Sequence, residues 1–228
     1  MDKASKSLSA ELTREPVIVW DWPVRIFHWS MVVLVIAAYV TSRYNWMTCH
    51  VCLGRCILTL LIFRILWGFW GSDTTRFRQF LVRPSTALAY ARGFFSQRGV
   101  THIGHTPAGG WMVVAFIFVL SMQVLTGLFV NNDVVRVGAL FGIFSANTVD
   151  AVVSAHGTLF LLLMFFVTIH VAAVALYWIV KRQNLVRPMA TGIQYLPPGG
   201  EKPGIMSMRR TVSLFLLSVI IATMIGQL

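Results

Sequence analysis

Charge is what this chain has least of. Charged residues make up 12% of its 228 positions and hydrophobic ones 57%, whereas soluble domains carry roughly a quarter charged residues, so a soluble globular protein is excluded. Acids are scarcer still, 8 Asp and Glu against 19 Lys and Arg. There are three cysteines, Cys49, Cys52 and Cys56. The string CHVC sets His50 between two of them instead of after the second, which argues against a covalently attached c-type haem. At spacings of three and four the thiols share a helix face and read as small packing residues before a disulfide or metal site. The sequence has no internal repeat and no low-complexity tract. Its first twenty-five residues are polar, without an apolar core and small-residue cleavage site, so the first helix is expected to serve as its own insertion signal.

What is present is a series of long apolar stretches. Spans near the roughly 17 to 25 residues that cross a hydrocarbon core lie at Ile26 to Ser42, Cys49 to Trp70, Gly109 to Val130, Val152 to Val180 and Thr211 to Leu228. The fold class expected is an all-α integral membrane protein. The first two helices are joined only by residues around Tyr44 to Met47, which makes them antiparallel neighbours. The first four should form one bundle over 26–187, preceded by an N-terminal segment, 1–25. Pro188 to Arg210, with Pro197, Pro198, Gly199, Gly200 and Gly204, reads as a linker. The fifth helix, 211–228, is an appendage to the bundle and a candidate oligomerisation or partner-docking element.

The net charge of +11 reflects orientation in a membrane, not nucleic-acid binding. Lys3, Lys6, Arg14 and Arg25 precede the first helix; Arg76, Arg78, Arg83, Arg92 and Arg98 fill the second connection; Lys181, Arg182, Arg187, Lys202, Arg209 and Arg210 follow the fourth helix. The two other connections hold only Arg43 and Arg136. The positive-inside rule then puts the N-terminus and the linker in the cytoplasm and the C-terminus outside. The eight tryptophans, at positions 20, 22, 29, 46, 67, 70, 111 and 178, fall near helix ends, where an interfacial belt is expected.

Four histidines combine with this orientation. His156 and His170 are fourteen residues apart on the fourth helix, which puts them on one face and about 21 Å apart along the axis. Depth matches His28, at the cytoplasmic end of helix one, with His170. It matches His50, at the outer end of helix two, with His156. Two imidazoles per layer suit axial ligation of a haem iron, whereas zinc needs roughly three or four protein ligands and finds no third histidine or carboxylate nearby. Single helix-end histidines can also be plain interfacial side chains. Arg64, Arg55 and Arg25 are candidate partners for haem propionates, with snorkelling to the interface as the alternative. His102 and His105 have no depth-matched partner and read as surface or interfacial groups, with a quinone headgroup role as the weaker alternative. Gly109, Gly110 and Gly127 suit close approach of a neighbouring helix or a porphyrin face.

Several motifs in order carry a resemblance: VWDWPVRIFHW at Val19 to Trp29, FRILWG at Phe63 to Gly68, GHTPAGGWM at Gly104 to Met112, LTGLF at Leu125 to Phe129 and NLVRPMATG at Asn184 to Gly192. Over Val19 to Gly192 the chain resembles the bacterial cytochrome b561 family, which includes the cytochrome b subunits of nickel-iron hydrogenases. The resemblance implies a four-helix bundle with two noncovalent b haems whose ligands fall on His28, His50, His156 and His170. It also implies electron exchange between a quinone pool and a periplasmic partner, such as a c-type cytochrome, a dehydrogenase or a hydrogenase, in the bacterial cytoplasmic membrane. Two other readings stay open. One is a self-sufficient oxidoreductase acting on a small oxidant such as superoxide at the outer haem; the other is a membrane anchor with structural histidines.

Overall fold

In a computed structural model the described residues are 14–95, 103–128, 146–199 and 202–227. The ends of the third and fifth expected spans, Arg98, Arg136, Gly200 and His102 lie outside them. The described chain runs β1 (Glu15–Ile18), α1 (Trp22–Arg43), α2 (Met47–Trp70), a 3-10 turn (Asp73–Thr75), α3 (Phe77–Phe80), α4 (Pro84–Arg92), α5 (Pro107–Gly127), α6 (Ala146–Lys181), α7 (Val186–Thr191), β2 (Ile193–Leu196) and α8 (Met208–Gln227). Five of these, α1, α2, α5, α6 from Asp150, and α8, are long and apolar enough to cross a membrane. The protein is an all-α integral membrane protein.

Capping explains why two spans begin before their apolar stretches do. Asp21 caps α1, its Oδ1 accepting from Val24 N–H at 3.2 Å, with Pro23 in the first turn. Thr106 caps α5 in the same way, accepting from Gly109 N–H at 3.1 Å, with Pro107 as the first helical residue. These side chains satisfy amide groups that the helix itself leaves open.

Helix α1 packs on α2, α5 on α6, and α2 on α5, whereas α6 makes at most sparse backbone contact with α1 or α2. Helix α6, with His156 and His170, therefore faces α1 and α2, with His28 and His50, across a separation that side chains must fill. At its centre sit Met31, Ile57, Leu61, Val119, Leu120 and Leu163, all buried. Helix α8 lies along α2. Thr211, Ser218 and Ala222 are its buried residues, and Phe215 meets Phe63 edge to face at 6.0 Å. Small side chains on one stripe allow such close approach within a membrane.

The expected linker is structured. Helix α7 ends at Gly192, whose φ of +84° is a left-handed value that favours glycine. The Gly192 carbonyl accepts from Val19 N–H at 2.8 Å and Trp20 N–H at 3.2 Å, and β2 then pairs antiparallel with β1, Glu15 opposite Leu196 and Ile18 opposite Ile193. Further along, Gly204 N–H donates to Asp73 Oδ2 at 2.8 Å and Met206 N–H to Ser72 Oγ at 2.9 Å. The N-terminal strand, the turn after α2 and the segment before α8 are thus tied together at one end of the bundle. Pairing between residues so far apart has no local signal in the sequence.

Two tryptophans depart from the belt. Trp67 is fully buried and Trp20 nearly so; with Val17, Val19, Val24, Phe63 and Leu196 they form a core under the strand pair. The three cysteines are all exposed, against the packing role expected of them.

Candidate haem-binding site

Two imidazole pairs stand between the separated helices. His28 of α1 faces His170 of α6 with ring centroids 6.4 Å apart, and His50 of α2 faces His156 of α6 at the same 6.4 Å. Metal–imidazole bonds of about 2 Å on either side of one ion would put two ring centroids about 6 Å apart, so both separations fit axial ligation of a single iron. No group of three or more His, Cys, Asp or Glu capable of holding a metal occurs among the described residues. Two ligands per layer suit an iron whose other four positions come from a macrocycle.

Hydrogen bonds fix how the His50 and His156 pair is presented. His50 Nδ1 lies 2.8 Å from the Ala38 carbonyl oxygen; a carbonyl only accepts, so the ring proton sits on Nδ1 and Nε2 keeps its lone pair. His156 Nδ1 lies 3.0 Å from Thr126 Oγ1. The Thr126 hydroxyl spends its one proton on the carbonyls of Met122 at 2.8 Å and Gln123 at 3.0 Å, so it accepts from His156 Nδ1. Both of these imidazoles therefore offer Nε2, and that of His156 meets the Gln123 amide at 3.0 Å. Gly127 allows this approach: a Cβ there would stand 3.3 Å from His156 Cε1. Gly54, one turn along α2 from His50, has nothing within 4 Å of where a Cβ would stand, leaving room beside the imidazole for a flat group.

The His28 and His170 pair is less tethered. His28 Nδ1 is buried with no hydrogen-bond partner among the described residues. Around it, Trp29 meets His28 edge-on at 5.0 Å and Phe116 meets His170 at 5.7 Å. Leu163, at 3% exposure, lies midway along α6 between the two pairs and belongs to the apolar cluster separating them.

The three arginines go to different places. Arg64, 3% exposed, donates to the Thr75 carbonyl at 3.4 Å and lies over the Phe77 ring. Its nearby anionic group is Asp21, whose own carboxyl is pushed up by burial against the lowering effects of Ser72, Val24 and Arg64. Ser72 Oγ donates to Asp21 Oδ2. Arg64 is thus surrounded by protein groups at the turn after α2. Arg55 reaches the Gly226 carbonyl of α8 at 3.5 Å, not the histidines. Arg25 donates through Nη2 to the Ala190 carbonyl at 2.5 Å, while its Nε is buried without a partner among the described residues, one turn from His28.

His105 is not a surface group. Its ring packs edge-on to Trp20 at 4.7 Å and against Phe80 at 4.3 Å, and its Nδ1 donates to the Thr74 carbonyl at 3.3 Å. Burial and the charge of Arg64 lower its pKa to about 3, so it is neutral at physiological pH. Gly110 is needed for packing: a Cβ there would stand 2.8 Å from the Phe80 ring and 3.0 Å from its carbonyl oxygen. Thr126, Gln123 and Leu163 were not singled out by the sequence, because polar and apolar residues on an otherwise apolar helix look alike until the neighbouring helix is in place.

Residues 19–192 match the family model described as prokaryotic cytochrome b561. No curated protein and no solved structure matches the chain.

Proposed function

The chain belongs to the prokaryotic cytochrome b561 family, and from that premise we propose that it carries two b haems and moves electrons across the bacterial cytoplasmic membrane. As a member of the family it is a membrane b-type cytochrome that binds haem b and transfers electrons. The number of haems, their ligands and the exchange partners are our reading. What carries it is the pair of imidazole pairs, each at 6.4 Å, on helices whose backbones stand apart.

In this reading His28 and His170 hold the inner iron, and His50 and His156 the outer one. Haem iron supplies reversible one-electron chemistry when bound. The chain's own contribution is to present ligands and to keep the layers dry and fixed in depth. Ala38 and Thr126 hold the outer rings in the tautomer that offers Nε2, a hydrogen bond that also raises ligand basicity. Arg25 Nε, buried and without a partner among the described residues, would serve a propionate of the inner haem. The apolar cluster around Leu163 separates the layers, whose ligands His156 and His170 helix rise sets about 21 Å apart along α6.

The exchange partners follow the orientation. Positive-inside bias supports a cytoplasmic N-terminus and places the His28 and His170 layer inside. A quinone takes up protons as it is reduced, which favours a quinone site beside that layer. A periplasmic redox protein, a c-type cytochrome, dehydrogenase or hydrogenase, then meets the outer layer.

The test is a redox titration of the purified protein with haem quantification, repeated after His170→Ala and His156→Ala. Two b haems in the parent and loss of a different one in each variant are expected. Either substitution leaving both haems and both spectra unchanged would overturn the pairing.

A further inference from the structure

Helix α8 lies beyond the family match, which ends at residue 192, and it does not complete either histidine layer. It does create a groove. The last residue of α2, Trp70, and one face of the first turns of α8, Arg210, Ser213, Leu214 and Leu217, line a cavity of about 390 Å³ open to the surroundings. Spacings of three, four and seven put these four α8 residues on one stripe, with the cation at the end of the helix and leucines running inward from it.

Two observations say what fits there. Arg210 is exposed, and its hydrogen bond goes to the Met206 thioether at 3.4 Å, a weak acceptor. The ion pairs among the described residues are Arg76 with Asp73 and Lys202 with Glu15, so no carboxylate among the described residues pairs with Arg210. The level is that of the headgroups: Trp70 ends its span 58% exposed, as interfacial tryptophans do, and Met208 begins the next. A guanidinium pairs with phosphate oxygens through two parallel hydrogen bonds, which an ammonium cannot match in geometry.

We propose that this groove is a binding site for one anionic phospholipid, its phosphate on Arg210 and an acyl chain along Leu214 and Leu217 against Trp70. Charge complementarity selects the occupant: a neutral quinone brings no phosphate, and a zwitterionic lipid brings a cation of its own beside its phosphate, so only an anionic lipid neutralises the arginine. Ser213, next to the cation on the same stripe, adds a hydroxyl donor for the headgroup. The site fills the angle between α2 and α8 and so cements the fifth helix to the core. It does not depend on the haem assignment.

Arg209 makes the test sharp, because it carries the same charge, is also exposed, and does not line the groove. Full-length protein is placed in nanodiscs of phosphatidylcholine containing a minor fraction of phosphatidylglycerol, released, and its retained lipid read by native mass spectrometry. The parent should keep about one phosphatidylglycerol; Arg210→Gln should lose it, Arg209→Gln should keep it, and Leu217→Trp should lose it by filling the groove with the charge intact. Equal loss in Arg209→Gln and Arg210→Gln would reduce the effect to general surface charge and overturn the site. So would retention of phosphatidylcholine or quinone in its place, or retention by Leu217→Trp. Size-exclusion profiles and thermal unfolding of each variant distinguish loss of the site from loss of the fold.

Discussion

Thr126 and His156 meet across α5 and α6 with 3.0 Å between Oγ1 and Nδ1, and because the threonine proton is already given to its own helix, the imidazole must be the donor. Thr126→Val keeps the shape of the side chain and removes the acceptor. Loss of an outer partner of this kind typically weakens metal-site affinity about 10- to 100-fold, so haem retention at the His50 and His156 layer should fall. The less basic imidazole should also shift that haem's midpoint potential upward, while Thr126→Ser restores both. A spectroelectrochemical titration that found both haems of Thr126→Val at parental potentials would remove the role.

Ser72 joins three separate parts of the chain. Its hydroxyl donates to Asp21 at the start of α1 and accepts from Met206 N–H just before α8, and the residue is 3% exposed. Ser72→Ala leaves Asp21 Oδ2 and the Met206 amide without the hydroxyl they share, while Asp21 Oδ1 keeps Val24 N–H, a cost of about 1 to 3 kcal/mol. Unfolding in detergent should show this loss. Limited proteolysis should open the segment before α8 first, because that amide anchors it.

His105 gives a pH dependence with a definite sign. Its folded pKa is about 3, below the ordinary 6.5, because burial and then Arg64 disfavour the charged ring. Between these values the unfolded chain binds more protons, so the contribution is fully present above about pH 6.5 and declines as pH falls toward 3. His105→Gln should flatten that part of the stability profile relative to the parent. A parent and variant whose unfolding midpoints fell in parallel over this range would contradict it.

Gly110 sets how closely α5 approaches α3. A methyl group there would stand 2.8 Å from the Phe80 ring and 3.0 Å from a backbone oxygen, so something must shift. Overpacking of this kind costs about 1 to 3 kcal/mol, and Gly110→Ala should lower the unfolding midpoint accordingly. Gly110→Ala combined with Phe80→Leu should recover part of it, since half the clash is with a side chain.

Sequence alone determined the membrane class, the five spans and the likeness to the family, because apolar length and charge asymmetry are properties of the chain itself. It also determined that His156 and His170 share a face, since helix periodicity fixes direction along a single element. The rings they were expected to face, His50 and His28, stand opposite them in the structure. Tertiary structure alone decided the rest. Which proton His156 carries depends on Thr126, on a helix whose rotation its own sequence leaves open. Arg64 meets Thr75 and Phe77 because the turn after α2 folds back over it. The strand pair joins residues 15–18 to 193–196, and Trp20 and Trp67 leave the interface for the core beneath it. Periodicity gives each helix its inward face, but which side chain meets which is settled only when separate segments pack together.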